Sequence, residues 1–185
     1  RGMAQGVRSV VSLPDPVGVR QSTMEMDEGL ILHRVSCPIG VIGAIFESRP
    51  DAVSQISSLC LKSGNAVILK GGREAQNSNK VIVGLLTDAI KKVAGVPEAS
   101  VQMIETRSEV ADMLKEEKYI NLIVPRGSNA FVKYIQENTR IPVLGHSEGI
   151  CHNYIDKEAD LEKALRIALD SKLQYPAACN AMENL

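Results

Sequence analysis

Several short stretches of the sequence combine residue types that can do chemistry. In Tyr175-Pro-Ala-Ala-Cys179-Asn180 a thiol follows a proline and two small residues. Small neighbours leave a thiol accessible, and an accessible thiolate near backbone donors is a nucleophile. For any single cysteine the plainer alternative is a buried structural thiol. In Leu69-Lys70-Gly71-Gly72-Arg73 two glycines let backbone approach a ligand, while Lys70 and Arg73 supply charge and donors. This suits a contact to a nucleotide ribose or phosphate; an ordinary basic turn ahead of a helix is the alternative. Pro125-Arg126-Gly127-Ser128 opens a predicted helix, whose free N–H groups and partial positive charge suit an anion. A serine N-cap after a glycine turn explains the same residues. His146-Ser-Glu148-Gly-Ile-Cys151-His152 raises the question of a metal. Adjacent Cys151 and His152 in an extended segment point to opposite faces, and the usual ligand spacing is missing, so no metal is expected. Cys37 and Cys60 sit in apolar runs and read as structural.

These stretches need elements to hold them. Residues 1–12 have helical spacing and stop at Leu13-Pro14-Asp15-Pro16. Residues 17–24 and 30–35 read as an antiparallel hairpin joined by Met26-Asp27-Glu28-Gly29. From Pro38 the pattern changes to alternating strands and helices. The continuous apolar run 38–46 fits a strand buried on both faces. Pro50 opens a helix that Ser63-Gly64-Asn65 closes. Strands over 66–70, 101–104 and 120–124 alternate with helices over about 78–93, 108–116 and 128–138. Extended pieces over 141–144 and 151–155 follow. A last helix over 159–171 carries Leu161, Ala164, Leu165 and Ala168 on one face. The fold class implied is α/β, a Rossmann-like doubly wound parallel sheet with helices on both faces. Ligands of such sheets lie at the carboxyl ends of the strands, here 46–50, 70–73, 104–107 and 125–128. The chain lacks GxGxxG, so the common dinucleotide fingerprint is absent, and Gly40 and Gly43 read as close-packing positions.

Composition narrows the function classes. The 185 residues are 44% hydrophobic and 23% charged, which excludes a disordered or collagen-like chain. Lys+Arg number 21 against 22 Asp+Glu, and aromatics are 3%, so neither the basic excess nor the stacking platforms of a nucleic-acid binder are present. No apolar run approaches the roughly 20 residues of a membrane helix. The four Cys are far apart without CxxC, which suits a reducing cytoplasm. The chain begins at Arg1 within a helical pattern and stops at Leu185 within an apolar one, and reads as a piece of a longer polypeptide.

Five motifs occur in order over most of residues 17–185: IFESRPDAV (45–53), KSGNAVILKGGREAQNSN (62–79), LIVPRGSNAFV (122–132), IPVLGHSEGICHNYID (141–156) and YPAACNAMENL (175–185). On these the sequence resembles the gamma-glutamyl phosphate reductase (glutamate-5-semialdehyde dehydrogenase) family of the aldehyde dehydrogenase superfamily. The same module forms the second half of bifunctional pyrroline-5-carboxylate synthases. The resemblance implies an incomplete aldehyde dehydrogenase fold, with most of the catalytic domain missing after the Cys. Residues 1–37 would be a helix end and an oligomerisation hairpin, 38–145 an NADPH-binding Rossmann-like domain, and 146–185 the start of the catalytic domain. It implies Cys179 as catalytic thiol with Asn180 beside it. Ser48 falls where many aldehyde dehydrogenases have the oxyanion-hole Asn. Lys70, with Gly71, Gly72 and Arg73, would contact the adenosine end of NADPH, and Gly127-Ser128 its pyrophosphate. The superfamily's general-base Glu falls near Gly145, and its role does not pass to Glu148. The implied reaction is reduction of L-glutamyl 5-phosphate by NADPH to L-glutamate 5-semialdehyde, through a Cys179 thioacyl intermediate, in proline biosynthesis. A homo-oligomer in the cytoplasm is implied, with glutamate 5-kinase as possible partner or fusion and with no nucleic acid or membrane. The alternative is a non-catalytic nucleotide-binding fragment of that enzyme or of the bifunctional kinase-reductase.

Overall fold

Prolines and glycines set the first boundaries. The structure, a computed structural model, describes residues 2–47, 49–145, 149–176 and 180–185. α1 (Gly2–Val11) ends ahead of Pro14 and Pro16, which offer no amide donor to continue a helix. β1 (Arg20–Asp27) and β2 (Leu30–Val35) pair antiparallel, with Arg20 opposite Val35 and Asp27 opposite Leu30. The first strand lies three residues later than the sequence predicts. Gly18 turns the chain at φ 73°, its N–H donating to Ser36 O at 2.9 Å, and the reversal then needs only Glu28 and Gly29, the latter also at φ 73°. Left-handed glycine permits such a short loop. Every residue of both strands is exposed.

The chain divides into two compact units, residues 1–145 and 146–185. In the first unit β3 (Val41–Ile45), β4 (Ala66–Lys70), β5 (Val101–Met103) and β6 (Leu122–Pro125) form a parallel sheet in the order β5-β4-β3-β6. α2 (Asp51–Lys62), α3 (Gln76–Ile90) and α4 (Arg107–Met113) connect the strands, and α5 (Asn129–Glu137) follows β6. The predicted extended piece at 141–144 joins only by one parallel bridge, Val143 to Ile123.

Alternation along β3 builds two cores. Ile42, Ala44 and Phe46 pack with Val53 and Cys60 of α2, Ile90 of α3, and Val67 and Leu69 of β4. Ile45 packs on the other face with Val110 and Met113 of α4, Ile123 of β6 and Ile135 of α5. Period-two side chains between two helical layers are what a continuous apolar strand requires. Gly43 is a packing position as the sequence suggests: a Cβ there would lie 2.6 Å from Ile123 Cδ1. Two side-chain amides pin the amino end of β3. Asn65 Oδ1 accepts from Gly40 N–H and Asn121 Oδ1 accepts from Val41 N–H, each at 2.8 Å. The register then sets Ile45 beside both Lys70 and Pro125, so three strands end level.

In the second unit β7 (Cys151–His152) pairs parallel with β8 (Met182–Asn184), and α6 (Leu161–Leu173) lies between them in sequence. β7 is shorter than the predicted 151–155. Asp160 caps α6 by accepting from Glu162 N–H and Lys163 N–H at 3.0 Å. Lys172 Nζ donates to Met182 O at 3.0 Å, which ties the end of the helix to β8. Of the apolar face read from the sequence, only Ala168 is buried, while Leu161 and Leu165 are exposed.

Burial also separates the thiols. Cys60 is 6% exposed, and desolvation pushes its thiol up to about 11, whereas Cys37, which the sequence groups with it as structural, is exposed because it follows the open hairpin. A thiol with so high a value is almost wholly protonated at pH 8, and the thiolate is the reactive form. Alkylation at pH 8 is therefore expected to modify Cys37 and to reach Cys60 only after denaturant is added, as read by peptide mass. Cys60 labelled as fast as Cys37 in the folded protein would contradict this packing.

Candidate functional site

The carboxyl edge of the sheet gathers most of the candidate residues of the first unit. Strand order reverses between β3 and β6, and in sheets of this kind ligands bind beyond the carboxyl ends of the strands near such a switch point. Lys70 is the last residue of β4, and its main chain is held there by Phe46 N–H donating to Lys70 O at 2.9 Å. Its Nζ donates to Gly71 O at 2.7 Å. Gly71 has no room for a side chain: a Cβ would lie 2.1 Å from Asn79 Nδ2 and 3.2 Å from Phe46 Cε2. Arg73–Ala75 then make a 3-10 turn into α3.

The amino terminus of α3 differs from those of its neighbours. Thr106 and Glu109 close a capping box on α4, and Ser128 Oγ accepts from Phe131 N–H at 3.4 Å on α5. α3 has no side-chain cap and no acidic residue in its first turn. Its partial positive charge therefore adds to those of Lys70 and Arg73. Two carboxylates stand nearby. Glu74 lies against Gly72, where a Cβ would be 1.9 Å from Oε1. Glu105 pairs with Lys80 at 2.8 Å and accepts from Gln76, and the Lys80 hydrogen bond, then Gln76, hold its carboxyl below the usual range. A crevice lies between Gly71-Gly72-Arg73 and Gln76 on one side and Ile104-Glu105 on the other. The second strand of a dinucleotide half commonly ends near an acid that takes the ribose 2′-OH, whereas a cation there takes a 2′-phosphate. Here β4 ends in Lys70, with Arg73 three residues on.

The β6–α5 loop leaves the sheet beside β3, with Arg126 N–H donating to Ile45 O at 2.7 Å. A Cβ on Gly127 would lie 3.0 Å from Phe131 Cδ1 and 3.3 Å from Glu47 Cδ, so the bare glycine keeps this loop close to the end of β3. Ser128 is the N-cap that one of the two sequence readings anticipates. Gly145 is equally confined, with a Cβ position 2.6 Å from Val132 Cγ1. No carboxylate side chain fits at that point of the backbone as it stands.

Ser48 and Cys179 lie outside the described residues, as do His146 and Glu148. Asn180, next to Cys179 in sequence, is exposed in the turn that enters β8. Among the described residues no group of three or more His, Cys, Asp and Glu is arranged to hold a metal ion. Sequence reasoning passed over Asn79 and the Gln76–Lys80–Glu105 cluster. An Asn in the first turn of a helix reads as surface, yet Asn79 is 1% exposed. The one signal in the sequence was its place at the end of the 62–79 motif.

The family model described as aldehyde dehydrogenase family matches residues 3–183. The gamma-glutamyl phosphate reductase of Methanococcoides burtonii is 58% identical over 184 residues, which is 100% of this chain and 41% of that protein. The crystal structure of gamma-glutamyl phosphate reductase from Thermotoga maritima superposes with a TM-score of 0.91 at 40% identity, covering 98% of this chain and 44% of that one. The corresponding structure from Saccharomyces cerevisiae gives 0.74 at 48% identity, over 98% and 45%. The chain thus spans about two fifths of the length of the curated relatives it matches.

Proposed function

The chain belongs to the aldehyde dehydrogenase family and has its α/β fold, and from this premise we propose that it is the cofactor-binding and nucleophile-bearing part of a gamma-glutamyl phosphate reductase. The reaction is reduction of L-glutamyl 5-phosphate to L-glutamate 5-semialdehyde with release of phosphate, a step of proline biosynthesis. Likeness to reductases of that name along the whole chain is the observation that carries the reading.

The family uses NAD or NADP. The residues at the carboxyl edge fit such a group. A terminus without a side-chain cap at α3 and the cations Lys70 and Arg73 suit a ribose carrying an extra phosphate, and so NADPH. In this reading Lys70 and Arg73 hold the 2′-phosphate, with Gly71 and Gly72 giving close approach. Gly127 and Ser128 lie along the pyrophosphate. When bound, NADPH supplies the hydride that turns the enzyme-bound thioester into an aldehyde.

The chain's own chemistry centres on Cys179. Its thiolate attacks the acyl carbon, the carbon–sulfur bond forms, and the bond to phosphate breaks with phosphate as leaving group. Backbone N–H groups near Cys179 stabilise the oxyanion that develops. A general base that activates water would hydrolyse the thioester and waste it. The close packing of Gly145 on Val132 supports its omission. Among the described residues no helix is long and apolar enough to cross a membrane. The proposed place of action is the cytoplasm.

The hairpin β1–β2 is proposed as an oligomerisation arm. Met24, Met26, Leu30, Ile31, Leu32 and Val35 are each more than half exposed on it. A two-stranded sheet with open edges is marginal alone and gains from pairing with another subunit.

Three outcomes test these assignments in a full-length protein carrying this chain. Cys179→Ser should abolish reductase turnover and leave NADPH binding intact; activity near wild type would remove Cys179 from the role. Lys70→Ala should raise the KM for NADPH about tenfold or more, with a smaller effect on NADH, because a charge-assisted contact is worth roughly 1.5–3 kcal/mol. Equal effects on both cofactors would refute the phosphate contact. Deleting residues 17–35 should convert an oligomer to monomer in sedimentation with the cofactor unit still folded. A parent already monomeric at high concentration would end the proposal of an arm.

A further inference from the structure

We propose that Asn79 is a positioning residue that sets the reach of Lys70 through the Gly71 peptide. The proposal rests on the reading of Lys70 as a cofactor contact. Three links make the chain of contacts. Asn79 stands in the first turn of α3 with 1% of its surface exposed. Its amide fills the volume that a side chain on Gly71 would need, Nδ2 being 2.1 Å from the Cβ position. Gly71 O in turn accepts from Lys70 Nζ at 2.7 Å. The peptide that Lys70 grips thus lies against a helix-borne amide, with the Phe46 ring beside it, Cε2 being 3.2 Å from that same Cβ position.

The chemistry of the side chain points the same way. Among the described residues Asn79 Oδ1 is buried without a hydrogen-bond partner. A buried unpaired acceptor costs stability, and an apolar residue filling the same volume would not incur that cost. Packing alone therefore gives no reason for Asn in this position. A flat amide lying on a backbone without Cβ does, because it meets the loop with a planar group and leaves no methyl to push it outward. Close packing makes the relation reciprocal. The clash partner of a Gly71 side chain would ordinarily swing aside, but Asn79, 1% exposed at the base of the crevice, is held by its packing and moves only at a cost. Gly71 and Asn79 are a matched pair, and the loop conformation that presents Lys70 and Arg73 depends on both.

The experiment uses a full-length reductase carrying this chain, with Asn79→Ala, Gly71→Ala, the double variant, and Lys70→Ala as reference. Steady-state kinetics with NADPH and NADH are read beside the melting temperature. Asn79→Ala is expected to raise the KM for NADPH about threefold to tenfold, with kcat near wild type and a smaller change for NADH, as for residues coupled by direct contact. Gly71→Ala is expected to raise it further. The double variant is expected to be no worse than Gly71→Ala, because removing the amide makes room for the new methyl, with only the Phe46 contact still tight. If Gly71→Ala fails to fold, recovery of soluble protein in the double variant reads the same coupling. Multiplicative effects in the double variant would overturn the proposal. So would an unchanged NADPH KM in Asn79→Ala while Lys70→Ala raises it. So would equal losses with both cofactors that track a lower melting temperature, since those mark a framework role alone. If Lys70→Ala itself leaves cofactor preference unchanged, the cofactor reading falls, and the positioning role of Asn79 falls with it.

Discussion

Burial of β3 on both faces is the constraint from which the rest of the first unit follows. A strand with helices on either side has no face for water, so all of its inward side chains must be apolar or absent. Ile42, Ala44 and Phe46 meet one helical layer, while Ile45 meets the other across a gap that Gly43 keeps narrow. Its backbone donors and acceptors must be met within the sheet, and parallel neighbours on both sides do this. At its amino end, where the ladder stops, Asn65 and Asn121 accept from Gly40 and Val41. The same demand fixes register. A slip of one residue would turn Ile42 and Ala44 toward the wrong layer. Register is therefore what brings Ile45, Lys70 and Pro125 level and gathers three loops at one edge.

Those loops share a device, which is backbone stripped of side chains where it approaches something. Gly71 leaves room for the amide of Asn79, and Gly127 for the side chains of Phe131 and Glu47. The helices that follow are treated differently. α4 and α5 carry their own caps, so their terminal amides are partly engaged within the chain. α3 has no side-chain cap, only the Gln76 N–H engaged by Arg73 O of the preceding turn, and it is the helix beside Lys70 and Arg73. Positive potential thus concentrates at the β4–α3 loop, tempered by Glu74 and by a Glu105 already committed to Lys80 and Gln76. This distribution favours a ligand with localised negative charge at that end, which the phosphorylated ribose of NADPH would bring.

The chemistry proposed for Cys179 asks little of the fold beyond accessibility and oxyanion donors. An acyl phosphate is activated before it arrives, so no strong acid is needed to expel its leaving group. The product step calls for hydride in place of water, and a water-activating carboxylate would be harmful. Gly145, pressed against Val132, is consistent with that economy. The exposed hairpin presents a separate requirement. Its apolar residues have water on both sides, and partnering them would remove an aggregation hazard.

Much of this was legible in the sequence because it depends on local rules. Periodicity located β3 to β6 and the helices between them, since a doubly covered strand and an amphipathic helix leave different spacings. Glycine and proline marked most boundaries, and the Lys70 and Gly127 loops stood out because cations and bare backbone after an apolar run are visible in one dimension. The shift of β1 to Arg20–Asp27 was not legible, because Glu28 and left-handed Gly29 alone make the reversal, and because Gly18, left-handed with its N–H on Ser36 O, turns the chain just ahead of the strand. The shortness of β7 and the exposure of Leu161 and Leu165 were also hidden, since burial is decided by what surrounds an element. Asn79 shows the limit most plainly. Residue type and helical position call it surface, and only the folding of the Gly71 loop over α3 makes it core. Local chemistry writes the elements and their loops into the sequence; which side chain closes against which loop is a property of three dimensions alone.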